Sequence, residues 1–219
     1  MPLIRIGPAT GDGGYLVPDD LVGVTHAISP GVGPVVGFDL DLVERGMTVT
    51  MLDASVAGPP VENPAFDFRP LFLDDHVSAT TTTLDHLLAE TPSGDLFLEM
   101  DIEGAEWRVL NALSVRGLTR FRVMVIEFHG LSGLMNPRQF RLMGGVLTKL
   151  LVTHRVVHVH FNNAAAMKQI GSETMGTLFE LTFLRRDRSE GRGRAPLPHP
   201  LDTPNLPDRP ELPIPQILR

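Results

Sequence analysis

Val24-Thr25-His26-Ala27-Ile28-Ser29, running into Pro30-Gly31-Val32-Gly33, decides how this chain is read. A short apolar run that ends in glycines reads as a buried strand entering a tight turn. Val35 to Arg45 then carries apolar residues at helical spacing and stops at Gly46, and Met47 to Asp53 is a second strand that ends on an acid. In open α/β sheets, ligands rest outside the carboxyl ends of the strands, where glycine lets the backbone pass close to them. Asp53 follows Gly33 by twenty residues, a place from which a carboxylate can accept hydrogen bonds from both hydroxyls of a ribose. A glycine turn with such an acid downstream marks an adenosine-containing cofactor. The plain alternative is a structural turn followed by a chance acid. A dinucleotide is disfavoured: its fingerprint needs Gly or Ala where Val36 stands, and a pyrophosphate needs helix N–H groups, of which Pro34 has none. S-Adenosylmethionine has no phosphate and tolerates both departures.

Beyond this unit, Ala54 to Pro64 is loop, because Gly58, Pro59, Pro60 and Pro64 interrupt it. Phe66 to Leu73 reads as a third strand weakened by Pro70, and Thr83 to Ala89 as a short helix. Asp95 to Asp101 is a strand, Ala105 to Val115 a helix and Arg122 to Phe128 an apolar strand; Pro137 to Leu151 is a helix with proline in its first turn. Arg155 to Phe161 and Leu178 to Leu184 are the last strands. Between them Ala164 to Ile170 offers at most two helical turns, which suits an antiparallel final strand. Such alternation predicts a doubly wound, Rossmann-like α/β sheet with helical crossovers. We expect one domain over residues 1–186, with 1–22 as an N-terminal lid or hairpin. Residues 187–219 are expected to form a Pro-rich extended or disordered tail, docking, if at all, through Ile214, Ile217 and Leu218.

The 219 residues are enough to bury a core without staples, and the absence of cysteine excludes disulfides and thiolate chemistry. A net charge of −7 argues against nucleic acid as the partner. The one basic cluster, Arg185, Arg186, Arg188, Arg192 and Arg194, falls where the folded pattern ends and reads as solvated. No apolar run approaches the ~20 residues of a membrane span, and Met1 to Asp12 lacks the pattern of a signal peptide. The expectation is a cytoplasmic protein of open oligomeric state.

A second constellation lies in the middle of the chain. Leu96 to Asp101 ends on an acid, followed by Ile102-Glu103-Gly104-Ala105-Glu106-Trp107, with Glu103 expected in the first helical turn. The next strand ends Glu127-Phe128-His129-Gly130, and residues two apart on a strand share a face. If the two strands are neighbours, Asp101, Glu127 and His129 converge, because adjacent strands lie ~4.8 Å apart. That grouping suits a general base, or a hard cation such as Mg²⁺ held by oxygen and nitrogen. His158 and His160 share a face by the same rule, and Asn162 and Asn163 end that strand, where amides can bind a polar acceptor. Asp75 follows the third strand, in reach of an adenine amino group. Tyr15, the one tyrosine, sits in Asp12-Gly13-Gly14-Tyr15 ahead of the first strand and is a further candidate for contact with substrate.

These residues carry a resemblance. Ser29-Pro30-Gly31-Val32-Gly33, Asp53, Thr83-Leu84-Asp85, Met100-Asp101-Ile102-Glu103-Gly104-Ala105-Glu106 and Leu178-Phe179-Glu180-Leu181 are similar to the FkbM-type methyltransferases, over roughly residues 4–187. The resemblance implies a class I methyltransferase sheet of seven strands with the last antiparallel. It also implies S-adenosylmethionine as donor and O-methylation of a sugar, glycolipid or natural-product hydroxyl. Carried over, Gly31 and Gly33 approach the methionine part, Asp53 the ribose and Asp101 the methyl-transfer region, with Ser29 a further cofactor-binding candidate. One departure concerns the cofactor amine: many such enzymes carry an acid where Ser29 stands.

In the expected chemistry, His129 takes a proton from the acceptor hydroxyl, since its unperturbed pKa of about 6.5 is close to working pH, and Glu127 or Asp101 orients it. Two other readings remain open at this point: an NAD-dependent oxidoreductase, and a non-catalytic binding module that keeps the fold.

Overall fold

The computed structural model describes residues 1–189 and 196–215. The chain opens with an antiparallel hairpin, β1 (Leu3–Ile6) and β2 (Tyr15–Pro18). There follow β3 (His26–Pro30), α1 (Gly37–Glu44), β4 (Thr48–Leu52), β5 (Phe66–Arg69), β6 (Phe72–Leu73), β7 (Thr81–Thr82) and α2 (Leu84–Glu90). Next come β8 (Leu96–Met100), α3 (Glu106–Ala112), α4 (Val115–Leu118), β9 (Phe121–Phe128), α5 (Pro137–Thr153) and β10 (His154–Phe161). The last strands are β11 (Met167–Ile170), β12 (Glu173–Gly176) and β13 (Phe179–Arg185).

Seven strands form one sheet in the order β10-β13-β9-β8-β3-β4-β5. β13 runs antiparallel to both of its neighbours, while β5, β4, β3, β8 and β9 are mutually parallel. The chain leaves β3 outward to β4 and β5, then returns to β8 on its other side. The carboxyl ends of β3 and β8 are therefore the switch point where a doubly wound sheet opens a ligand crevice.

The two faces are covered differently. On one face the sheet's Leu98, Met100, Met124, Ile126 and Phe128 pack under α2, α3, α4 and α5. On the other face α1 and the N-terminal hairpin do this work, with Phe38, Leu42, Ile6, Tyr15 and Val17 meeting Ala27, Met51, Phe97 and Val125. The hairpin is pinned at both ends: Thr182 Oγ1 donates to Leu16 O (2.7 Å) and Gly7 N to Asp41 Oδ2 (2.7 Å).

The expected strands and helices form within a few residues of their expected limits, with four differences. The third strand breaks at Pro70, which can donate no ladder hydrogen bond, so Phe72–Leu73 leaves the main sheet and pairs with Thr81–Thr82. Ala164 to Ile170 gives no helix; its second half, Met167–Ile170, pairs with Glu173–Gly176 across a turn at Gly171 (φ +62°). Glu103 precedes α3 rather than joining its first turn, and takes φ +55°, a left-handed conformation uncommon outside glycine. The basic cluster is paired as well as exposed where it is described: the half-buried Arg185 pairs with Asp95 and Asp187, and the exposed Arg188 with Asp20. Arg192, Arg194, Ile217 and Leu218 lie outside the described residues.

Residues 196–215 contain neither helix nor strand and lie against the domain, with Asn205 and Ile214 buried. Among the described residues, no helix is long and apolar enough to cross a membrane.

Candidate functional site

The glycine turn stands on β3 because nothing larger fits. Gly31 has φ +95°, and a Cβ there would meet Asp101 O at 1.7 Å, so the tips of β3 and β8 press backbone to backbone. Asp101 N donates to Pro30 O (3.3 Å) and Gly31 N to Leu52 O (2.9 Å), which ties the turn to both neighbouring strands. Across it, Asp53 Oδ2 accepts from Val32 N (3.0 Å), and its Oδ1 accepts from Ser55 N and Oγ. The carboxylate is thereby held against the turn. A Cβ on Gly33 would meet only Val35 N, at 3.9 Å, so the space above the turn is open.

On the other side of β3, Asp101, Glu127 and His129 do converge. Each offers a ligand atom, and these atoms lie within 4.8 Å of one another. Asp101 Oδ1 is buried without a hydrogen-bond partner. Its pKa is pushed up to about 6, by burial first and, against the pull of His129, by Glu103, Glu106 and Asp12. Glu127 is pushed up to about 10, again by burial first, then by Glu180, Asp101 and Asp12. Glu180 is its in-register partner on β13, so two carboxyls face each other across the strands, a pairing that an ordinary sheet avoids. Asn162 Nδ2 donates to both Glu127 oxygens (3.3 and 3.4 Å).

The residue that orients His129 is Glu106, not Glu127 or Asp101. Its Oε1 lies 3.1 Å from His129 Nδ1 and also accepts from Ile102 N (3.2 Å) and Gly104 N (3.0 Å). Glu106 is fully buried, yet these hydrogen bonds overcome desolvation and hold its pKa below the usual carboxylate value. An ionised Glu106 makes Nδ1 the protonated ring nitrogen and leaves Nε2 as the basic one. Nε2 faces outward, 3.3 Å from Glu103 and 3.8 Å from Asp101. Burial draws the His129 pKa down, but Glu106, Asp101 and Glu103 raise it above the usual value on balance.

The remaining candidates are placed less directly. Ser29 is buried and its hydroxyl donates to Glu99 Oε2 (2.9 Å). Tyr15 is buried, its ring edge-on to Phe38 at 5.4 Å, because β2 lies flat on the sheet. His160 bridges Glu180 (3.0 Å) and Glu211 (3.2 Å), and these two carboxylates raise its pKa to about 9 despite burial. Asn163 does not face an acceptor: its amide donates to Leu206 O, Arg209 O and Pro210 O and accepts from Leu206 N, so it holds the 196–215 segment in place. Asp75 is exposed and bonded to His76 (2.9 Å).

Glu99, Glu106, Glu180 and Asp12 were not singled out as site residues from the sequence. Strand alternation could have found Glu99, two residues before Asp101, and Glu180, which starts the alternation Glu180-Leu181-Thr182. Asp12 depends on the hairpin folding back: Asn205 Nδ2 donates to both Asp12 (2.9 Å) and Glu180 (2.8 Å). A separate cleft of about 240 Å³, lined by His26, Thr48, Thr50, Asp67 and Arg69, opens at the amino ends of β3, β4 and β5. Both ring nitrogens of His26 there are taken by threonine hydroxyls, so it reads as a satisfied core histidine.

A seven-stranded sheet in this order, with one antiparallel strand and a glycine turn at the switch point facing an acid, is the architecture of a Rossmann-like methyltransferase. The chain belongs to the methyltransferase FkbM family, whose domain profile matches residues 25–151, from the start of β3 through most of α5. The family is one of methyl-transferring enzymes and implies S-adenosylmethionine as donor.

Among solved structures, the chain is similar to the bifunctional kinase-methyltransferase WbdD, at 13% identity and a TM-score of 0.41, over 75% of this chain and 35% of that one. It is also similar to the mitomycin 7-O-methyltransferase MmcR, at 13% identity and a TM-score of 0.34, over 76% and 50%. A third is a 16S rRNA (adenine(1408)-N(1))-methyltransferase mutant from Catenulisporales acidiphilia, at 11% identity and a TM-score of 0.35, over 87% and 100%. The chain spans about a third of the WbdD structure. Likenesses of this size carry no information about acceptor or mechanism. No curated protein matches the chain.

Proposed function

We propose that this chain is an S-adenosylmethionine-dependent O-methyltransferase acting on a hydroxyl of a small molecule or glycan, such as a sugar, glycolipid or natural product. The observation that carries the reading is His129, its Nδ1 held by the buried Glu106 and its Nε2 presented beside Asp101 at the strand tips next to the glycine turn. When bound, S-adenosylmethionine supplies an electrophilic methyl group on sulfur. Asp53 and the backbone of Gly31 and Gly33 grip the nucleoside, and the open space at Gly33 fits that role. Asp101, with its unpartnered buried oxygen, stabilises positive charge at the transfer point. His129 Nε2 accepts the hydroxyl proton as the oxygen attacks, a contribution of roughly 10²–10⁴-fold.

A second reading has one observation in its favour: Asp101, Glu127 and His129 are close enough together to hold a divalent cation such as Mg²⁺. Full methyl transfer in excess EDTA, after bound metal is removed, sinks that version. The donor reading is tested by calorimetric titration with S-adenosylhomocysteine. Binding is expected for the wild type and a loss of roughly 10-fold or more for Asp53→Ala, as for a charge-assisted hydrogen bond. An absence of binding to the wild type refutes it. Methyl transfer to amines but not to hydroxylated acceptors refutes the O-methylation part.

A further inference from the structure

Ser29 opens the glycine turn and leaves that position without a charge to meet the cofactor's amino group. Its surroundings are not neutral, however. Its hydroxyl donates to Glu99 Oε2 at 2.9 Å, and both residues are buried. Asp39, on α1, lies close to the same hydroxyl. Asp39 is 6% exposed, and its Oδ1 is buried with no hydrogen-bond partner. A serine hydroxyl has one hydrogen to give; it goes to Glu99, which leaves the buried Asp39 carboxyl beside it short of a donor.

The charged groups that act most on Glu99 are Asp39, Asp101 and Asp12, all acids. Buried carboxyls left short of donors are costly unless something else satisfies them. What this pair lacks is a compact cation with several N–H groups, which describes an ammonium.

The pair also lies in the right place. Glu99 is two residues before Asp101 on β8, hence on the same face of the sheet. Asp101 N is bonded to Pro30 O in the turn itself. We propose that Glu99 and Asp39 together form the seat for the α-ammonium group of the bound cofactor, replacing a carboxylate on the turn. This rests on the cofactor reading above and names the residues that complete it.

The test is calorimetric titration with two ligands, S-adenosylhomocysteine and its analogue lacking the α-amino group. The wild type is expected to prefer the amine-bearing ligand by about 10-fold or more, the range of a charge-assisted hydrogen bond. Glu99→Gln and Asp39→Asn are each expected to shrink that preference, and the double variant to bring it to about 2-fold. Affinity for the analogue should stay within about 3-fold throughout. Circular dichroism reports whether each variant folds, and if Glu99→Gln does not, Asp39→Asn alone carries the test. A wild type that binds both ligands equally overturns the seat while leaving the cofactor reading intact. So do folded variants that lose affinity for both ligands alike or keep the full preference. A wild type that binds neither removes the cofactor reading and the seat together.

Discussion

At the amino ends of β8 and β9, Asp95 is clasped by Arg122 and Arg185, and Asp20 by Arg188. These arginines hold the pKa values of both acids below the usual range, although burial opposes them. At the carboxyl ends of the same strands, Glu99, Asp101 and Glu127, with Glu180 facing them from the start of β13, have no arginine or lysine hydrogen-bonded to them among the described residues. Where a cation meets them it is a histidine, as His160 meets Glu180. One strand shows both regimes. His154, at the start of β10, is pulled down to about 4 by burial, with Phe121 O as its partner, while His160 near the other end is raised to about 9. Permanent cations compensate the acids that hold the fold. The acids at the crevice are left to titrate or to be met by a ligand, as is usual where chemistry is done.

The largest break in this comparison comes from His129→Ala. It should lower methyl transfer by roughly 10²–10⁴-fold and leave S-adenosylhomocysteine affinity within about 3-fold. A variant with unimpaired turnover would reduce the crevice histidine to a structural part.

Next in size is an effect of pH on stability. Between the folded value of about 4 and the ordinary 6.5, the unfolded chain carries a proton on His154 that the native chain lacks, so this residue makes stability fall as pH falls. Denaturant titrations at pH 7 and pH 4 should move the gap between wild type and His154→Gln by on the order of 3 kcal/mol, in favour of the variant at pH 4. His160 works the other way: its contribution is present below 6.5 and is lost as pH rises through about 9. A constant gap would mean that the two ends of β10 do not differ as described.

The smallest effect sets one acid from each end against the other. Asp95→Asn should destabilise by about 2 kcal/mol, because it leaves the buried Arg122 and the half-buried Arg185 each short of a partner. Glu127→Gln should be neutral or stabilising by up to about 1 kcal/mol, because an amide matches the uncharged carboxyl that burial already favours opposite Glu180. Urea midpoints report both, and a Glu127→Gln loss as large as that of Asp95→Asn would erase the distinction.

Much of this was legible residue by residue. The glycine turn, the strand ending at Asp53, and the shared face of Glu127 and His129 follow from composition and two-residue alternation, which are local properties. Asp101 could be placed beside them once the strands carrying them were taken as neighbours. The positioning of His129 was not legible, because Glu106 reads more readily as an acid favoured by a helix dipole. Asn163 looked free at a strand end, but a segment more than forty residues downstream folds back onto its amide.

From sequence alone, then, came the order of strands and helices, the glycine turn and the kinds of side chain at the strand tips. These depend on hydrophobic period and local backbone chemistry, which neighbours in the chain determine. Only the tertiary structure decided which acids lack a cation, which carboxylate orients His129, and which polar groups the 196–215 segment has already taken. A carboxylate's environment is set by whatever packs against it in space, and here those partners come from β8, β9, β13, the N-terminal hairpin and the far end of the chain.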